Sequence, residues 1–490
     1  MSGDGRPEGR RVAPIGKDSA SMDFPSPRNV SRRQALGLSA AVAAAIGLAA
    51  CGKSSSSSTA TSTTPASTDP KAVAADAYVF GFPLVLMDVT RETGGPANQF
   101  VHQNPPTPSE KQVVRLNLDT LYSQAWLDLR AEPMVVQVPE IEAGRYWLMQ
   151  FMDAWTNTVH DPSSTNPRVV KGDATPPYTY LITGPGWQGS VPAGMTRLAM
   201  PTGTTWLLGR IEYKGDNDIQ NVRALQERLK LAPLSVWNAD PAAVQGGPGA
   251  QPAGGGSPAQ MVAQMDGPTF FNRMCAVMAL NPPAPEDADA VKRFATIGIT
   301  AGGNVSTAPA DMLTAAATEA RKGIAGYRDP KAQNQNGWTF DLNVGSYGTN
   351  YPLRAQVAAV GLGANLPRDA VYPTVNANAE GGSRFRVTFA KDQLPPVGAF
   401  WSLTAYDAQS YLVQNPAGIY SVGHLVPLAP GPDGTVEIAV QSADPGPSVP
   451  AGHWLPIPES GQFSLTLRLY APKDTVLNGK WQVPKLEKLS

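Results

Sequence analysis

Cysteine and histidine are scarce in this chain. Its 490 residues include two cysteines, Cys51 and Cys275, and four histidines, His102, His160, His424 and His453. With Cys51 modified, as argued below, no intramolecular disulfide is available, and the fold must rest on burial alone. Cys275, inside the apolar run FFNRMCAVMAL, reads as a buried, inert thiol. Four scattered histidines argue against a multi-histidine metal site, so neither metal nor cofactor is implied. Charge is low too: 16% of residues are charged, against about 25% in an average soluble protein. Net charge is −1, and basic residues are in excess only in residues 1–50, with seven Lys/Arg against four Asp/Glu. Nothing there neutralises a phosphate backbone, which excludes nucleic acid as a partner. Common catalytic signatures are also missing. The chain has no G-x-S-x-G elbow, H-E-x-x-H or C-x-x-C.

Glycine and proline are plentiful, at 47 each, which suits short strands and turns. A repeat organises them. Gly144–Pro162, GRYWLMQFMDAWTNTVHDP, aligns without a gap on Gly398–Pro416, GAFWSLTAYDAQSYLVQNP, 254 positions later. Trp147 meets Trp401, and Asp153 meets Asp407. A second pair follows in the same order, with Pro201–Tyr213 on Pro458–Tyr470. Two β-rich copies of one unit, separated by an unlike insertion, are expected.

The N-terminus reads as an address. Ser31-Arg32-Arg33 precedes a sixteen-residue apolar run, which ends at Leu48-Ala49-Ala50-Cys51. Paired arginines before a short apolar stretch suit twin-arginine export, although Ala35 stands where Phe is usual. The run is too short for a lasting membrane span. The last four residues resemble a lipobox, whose cysteine takes diacylglycerol and anchors the mature chain to a membrane surface. Ser54–Thr68 has the composition of a tether.

After it the expected order is a first β-sandwich unit over 71–224, a helical insertion over 225–336 and a second β-sandwich unit over 337–490. Residues 1–50 are the export signal and 51–70 the tether. Lys71–Val89 opens as a helix that Gly81 and Pro83 should break or kink. Asp216–Leu231 reads as helical with Asp218 as a possible cap. Helical patterning recurs in Ala259–Ala279, Glu286–Phe294 and Pro309–Ile324, and Leu353–Leu362 reads as a short helix. In the second unit Phe463, Leu465, Leu467 and Leu469 alternate with Ser464, Thr466, Arg468 and Tyr470, the pattern of a one-faced strand. The fold class is therefore mainly β with an α insertion (α+β), built of antiparallel, jelly-roll-like sandwiches.

FGFPLVLMD, NLDTLYSQAWLDL, AGRYWLMQFMDAW and TTWLLGRIEY, within residues 72–230, resemble the bacterial family called domain of unknown function 1254. GSYGTNYPLRA, GLGANLPRDAVYP, GAFWSLTAYDA and FSLTLRLYAPK, within about 338–485, resemble its usual C-terminal companion, domain of unknown function 1214. The resemblance implies two β-sandwich domains with a helical segment, and a cell-envelope setting for some relatives; it implies no reaction. His453 departs from it, standing where many relatives have Asn before Trp-Leu-Pro.

Candidate site residues are polar groups set in apolar strands. Asn117, Asp119, Thr120 and Tyr122 crowd one strand entrance. They suit a turn that bonds its own backbone, or an Asp119–Tyr122 pair that orients a sugar hydroxyl or exchanges a proton. Asp153 and Asp407, duplicated in both copies, suit a structural tie between strand end and loop amides. Arg145 has no counterpart, since Ala399 stands in its place; a role special to the first unit competes with a surface ion pair. Arg210, Tyr347, Tyr351 and Arg354 suit carboxylate or sugar binding at an inter-domain cleft, against an interface ion pair with packing aromatics. His102 and His424 are expected in solvent-facing loops, and His160 and His453 have the better claim to function. The function expected is an extracytoplasmic, lipid-anchored protein that binds a small polar or carbohydrate-like ligand between its units. Cofactor-free acid–base hydrolase or lyase chemistry through Asp119, Tyr122 and His160 is the alternative, and a structural envelope role the third.

Overall fold

A computed structural model describes residues 67–489, apart from 110, 112–113, 171–174 and 254–255. The export signal, the lipobox with Cys51 and most of the tether lie outside the described residues. The architecture is α+β: two sandwiches of mostly antiparallel strands, and a helical layer beside them.

In the first sandwich, one sheet runs Val101–His102, Thr120–Asp128, Thr204–Glu212, Trp147–Asp153, Thr158–His160 in spatial order. The facing sheet runs Thr196–Ala199, Tyr178–Thr183, Met134–Val138, Lys230–Pro233, with its first pair parallel. Strand alternation points Leu121, Met149, Phe151, Leu207 and Ile211 at Val136, Tyr180 and Ile182 in a shared core. Lys230–Pro233 pairs with Met134–Val138, so the first sandwich reaches past the expected boundary at 224.

The second sandwich is built the same way. Gln333–Gln335, Trp338–Phe340, Thr374–Ala379, Gly461–Tyr470, Trp401–Asp407 and Ser421–Gly423 form one sheet, with Ala370–Val371 added on Gly461–Tyr470. Trp454–Leu455, Val436–Gln441, Arg384–Phe389 and Leu486–Leu489 form the other. Phe463, Leu465, Leu467 and Leu469 all point inward against Val387, Phe389 and Ile438. At ~1.5–3 kcal/mol per buried side chain, that strand alone offsets a large part of the ordering cost of its sheet.

The repeat is visible as strand pairing. Trp147–Asp153 and Trp401–Asp407 each pair antiparallel with the late strand of their own unit. Asp153 Oδ1 accepts from the amides of Trp155 and Asn157, and Asp407 Oδ1 from those of Gln409 and Tyr411. These are the same two offsets in each copy. The second sequence alignment is one residue out. Trp147 pairs with Ile211, whereas Trp401 pairs with Leu469, which makes Arg210 the counterpart of Arg468. A one-residue slip exchanges the faces of a strand; the correction puts both arginines on the outer, non-core faces.

Pro70–Thr93 was expected within the first sandwich and kinked at Gly81–Pro83. It is instead one unbroken 24-residue helix and the hub of the helical layer. Asp69 caps it by accepting from the Ala72 amide, and Pro70 suits the first turn. Around it pack Pro258–Gln264, Gly267–Leu280, Ala288–Ala295, Ala310–Gly326 and Tyr351–Gly361. Tyr78 stacks on Phe270 at 4.0 Å, and a side chain on Gly81 would collide with the sulfur of Met274. Burial on every side outweighs the lost hydrogen bond at Pro83. By length and hydropathy this helix could cross a membrane, yet 72% of its apolar window is buried inside the protein. Cys275, on Gly267–Leu280, is fully buried. Asp216–Leu231 is shorter than expected: a 3-10 turn, then Ile219–Gln226. Asp218 makes no side-chain cap there, because its carboxylate is held by Arg145.

Candidate functional site

Each sandwich has a second face, away from its core. On the first, Trp126 and Trp206, stacked at 5.1 Å, pack with Met152 and Leu208 on Met87 of the hub helix. The rest of that face meets the outer face of Gly461–Tyr470 and Trp401–Asp407, where Tyr146, Leu148, Phe400 and Tyr470 cluster. This seam between the sandwiches is dense in polar groups and closed to solvent.

Two arginines organise it, at positions made equivalent by the repeat. Arg210 donates to Gln150 Oε1 at 2.5 Å and to the Gly363 carbonyl at 3.0 Å, and lies over the Tyr122 ring. Arg468 donates to Thr404 Oγ1, to the Tyr406 hydroxyl and to the Arg115 carbonyl. Gln150 and Thr404 are themselves repeat counterparts. Arg115 reaches from the first unit into the second sheet, donating to Ser464, Thr374 and Thr466. Both Arg210 and Arg468 are 5% exposed, and their hydrogen bonds go to neutral oxygens rather than carboxylates. Their charge acts on the tyrosines. Burial raises the Tyr122 phenol, but Arg210 and the Asn117 amide outweigh it, and the net result is below the usual phenol range. Tyr146 and Tyr470 are held well above that range by burial.

Asp119 sits at the centre, 1% exposed. Its Oδ2 accepts from Ser402 Oγ at 2.7 Å and from the Tyr470 hydroxyl at 2.9 Å, both from the second unit. Its Oδ1 meets no hydrogen-bond partner among the described residues and lies 3.9 Å from Nδ1 of His424. His424 was expected in solvent; its side chain is only 6% exposed, and its ring stacks on Phe400 at 4.1 Å. Both of its nitrogens, and the hydroxyl of Tyr146, are likewise without a partner among the described residues. Gly423 places it. With φ +134° and the Trp401 carbonyl 2.5 Å from where a Cβ would be, only glycine fits there.

Asn117, Asp119, Tyr122 and Arg210 are thus brought together. Asn117 closes the expected turn, Oδ1 accepting from the Asp119 amide at 2.7 Å, while its Nδ2 donates to the Tyr122 hydroxyl at 3.0 Å; it serves turn and seam at once. His160 does not join them: its Nε2 is 3.0 Å from the Ala199 carbonyl. Tyr351 donates to Asp287, and Arg354 is enclosed by the rings of Phe80, Trp155 and Tyr351, at 5.2–5.3 Å, beside the hub helix. That is an aromatic cage tying the helical layer to the first sandwich. Tyr347 lines a separate surface cavity of about 370 Å³ with Lys331, Asn343, Ser346 and Asn350. His453 is spent on structure, Nδ1 at 2.7 Å from the Glu437 carbonyl and Nε2 accepting from the Ala429 amide. His102 is a strand residue on Ser123 Oγ, lowered to about 4 chiefly by burial.

Sequence reasoning missed Ser402, His424, Arg468 and Tyr470. A signal was present in the last strand, whose supposed water-facing side carries Arg468 and Tyr470 among small hydroxyls. Placing Arg210 opposite Arg468 would have found the rest.

Residues 97–233 match the family described as protein of unknown function (DUF1254), and residues 369–474 the one described as protein of unknown function (DUF1214). No curated protein matches the chain. Among solved structures it is similar to the VPA0106 protein from Vibrio parahaemolyticus, 21% identical with a TM-score of 0.64, over 86% of this chain and all of that one. That likeness is one of fold. An uncharacterized protein from Burkholderia cenocepacia, 13% identical over 85% of this chain and 89% of that one, has a TM-score of 0.43, too low to argue from. The seam therefore joins the two matched regions, the first supplying Asn117, Asp119, Tyr122 and Arg210 and the second Ser402, His424, Arg468 and Tyr470.

Proposed function

We propose that the protein binds a small polar, carbohydrate-like ligand in the seam between its sandwiches, and does so outside the cytoplasm, anchored by lipid on Cys51. One observation carries the binding reading. Asp119 Oδ1, both nitrogens of His424 and the hydroxyl of Tyr146 are buried without hydrogen-bond partners among the described residues. Leaving such a group unpaired costs about 1–3 kcal/mol, so a ligand rich in hydroxyls gains by satisfying several together.

A thermal-shift screen over sugars, organic acids and lipids tests it. A ligand present at a hundred times its Kd should stabilise the native state by about 2.7 kcal/mol, and Asp119→Asn should abolish the shift. If no compound raises the Tm, or if the shift survives in the variant, the seam is not the binding site. The anchor rests on the Leu48–Cys51 motif together with the paired arginines, apolar run and tether around it. Radiolabelled fatty acid should enter the full chain and not Cys51→Ala; equal labelling of both would remove it.

A further inference from the structure

Asp119 and His424 are arranged for more than binding. The carboxylate is gripped on one oxygen by Ser402 and Tyr470, which fixes its orientation and leaves the other facing His424 Nδ1 at 3.9 Å. That separation is within ion-pair reach and longer than a hydrogen bond, as acid–base contacts often are before substrate enters. The imidazole is clamped by Phe400 on one face, and Gly423 sets the backbone that delivers it. Its Nε2 is buried and faces no protein acceptor or donor among the described residues. A carboxylate held by neighbours, a histidine next to it and a free distal nitrogen are the parts from which enzymes build a general base. His453 is the contrast, with both of its nitrogens occupied by backbone groups.

We infer that Asp119 and His424 form an acid–base dyad acting on the ligand of this seam, with His424 as the catalytic residue and Asp119 positioning it. The inference rests on the binding reading for its substrate class, a small hydroxyl-bearing molecule. The step is a proton transfer: an O–H bond of the substrate, or of a water beside it, breaks, and the proton goes to Nε2. The electron pair stays on oxygen, and the imidazolium is balanced by the Asp119 carboxylate. The other charged and titratable groups of the seam include Tyr122, Tyr146, Tyr372, Tyr406 and Tyr470, with Arg115, Arg210 and Arg468. The tyrosines are neutral while protonated, and Arg468, spent on Thr404, Tyr406 and the Arg115 carbonyl, carries a fixed charge. Asp119 is thus the carboxylate placed to fix the tautomer and orientation of the ring.

Histidine-selective ¹⁵N spectra of the whole protein test this without any ligand. His424 should appear as the Nδ1–H tautomer with Nε2 as the acceptor. In Asp119→Asn that tautomer preference should be lost and the Nε2–H form should appear. Turnover of the probe 4-nitrophenyl acetate should drop by about 10²-fold or more in His424→Gln. An Nε2–H tautomer in the unmutated protein, a tautomer unmoved by Asp119→Asn, or probe hydrolysis unchanged in His424→Gln would each overturn the dyad. The tautomer is read on unmutated protein, so a variant that folds poorly does not blunt the test. The two readings also fail separately. A wrong tautomer sinks the dyad and leaves a stabilising ligand standing, and a screen without a ligand leaves the tautomer standing.

Discussion

Asp218→Ala should lower the unfolding free energy by about 1–3 kcal/mol, the cost of leaving buried donors without their acceptor. The donors belong to Arg145, 5% exposed. Its Nη1 and Nη2 donate to the two oxygens of Asp218 at 2.6 and 2.9 Å, Nη1 also donates to the Glu212 carbonyl at 2.7 Å, and Nε faces Glu142. A guanidinium and a carboxylate in parallel alignment give a strong charge-assisted contact. It joins the turn before Trp147–Asp153 to the start of Ile219–Gln226. Asp218 also accepts from the Lys214 amide and the Asn221 side chain. Arg145 is therefore no surface ion pair. Urea unfolding of Asp218→Ala and Asp218→Asn measures this, with Asn, which keeps the shape and loses the charge, expected in between. A loss under about 1 kcal/mol in the alanine variant would mean the pair is dispensable.

The second large effect is a pH dependence. Asp369 is 6% exposed, with Oδ2 unpartnered among the described residues. Burial first, and then the nearby charge of Asp161, push its carboxyl up to about 8, against the pull of Arg368 and Arg210. Asp161 is bonded to Arg368 and Arg168; these arginines and Asp369 outweigh its burial and hold it below the ordinary value. For Asp369 the folded chain keeps a proton that the unfolded chain releases near pH 4. Between about 4 and about 8 the native state binds the extra proton, so this group's contribution to stability falls as pH rises. The slope reaches at most about 1.4 kcal/mol per pH unit. His102 and His160 are held below their usual value by burial and act with the opposite sign below about pH 6.5. The window from 7 to 8 is therefore the clean one. Asp369→Asn should flatten the stability profile there and gain on the unmutated protein toward pH 8. Parallel profiles would show that Asp369 is ionised in the fold.

What the sequence made legible, and what it hid, follows from which interactions are local. The turn at Asp153 repeats at Asp407 because each carboxylate serves amides two and four residues on, a contact that duplicates with the segment. The inward face of Gly461–Tyr470 is written in period-two apolar residues. Its outward face is written in the same hydroxyls and charges a solvent face would carry, and nothing local distinguishes water from a second sheet. Hence Arg468 and Tyr470 passed unnoticed, and His424, whose partner is more than 300 residues away, looked like a loop residue. The hub helix failed in the opposite direction. Gly81 and Pro83 are local breakers, overruled by contacts with Phe270 and Met274 that only the tertiary structure supplies.

Arg115 reaches out of one module to end among Ser464, Thr374 and Thr466 of the other. A protein trimmed to either module would keep a guanidinium without its hydroxyls, or hydroxyls without their guanidinium. The smallest piece that keeps this contact whole is accordingly the fused pair.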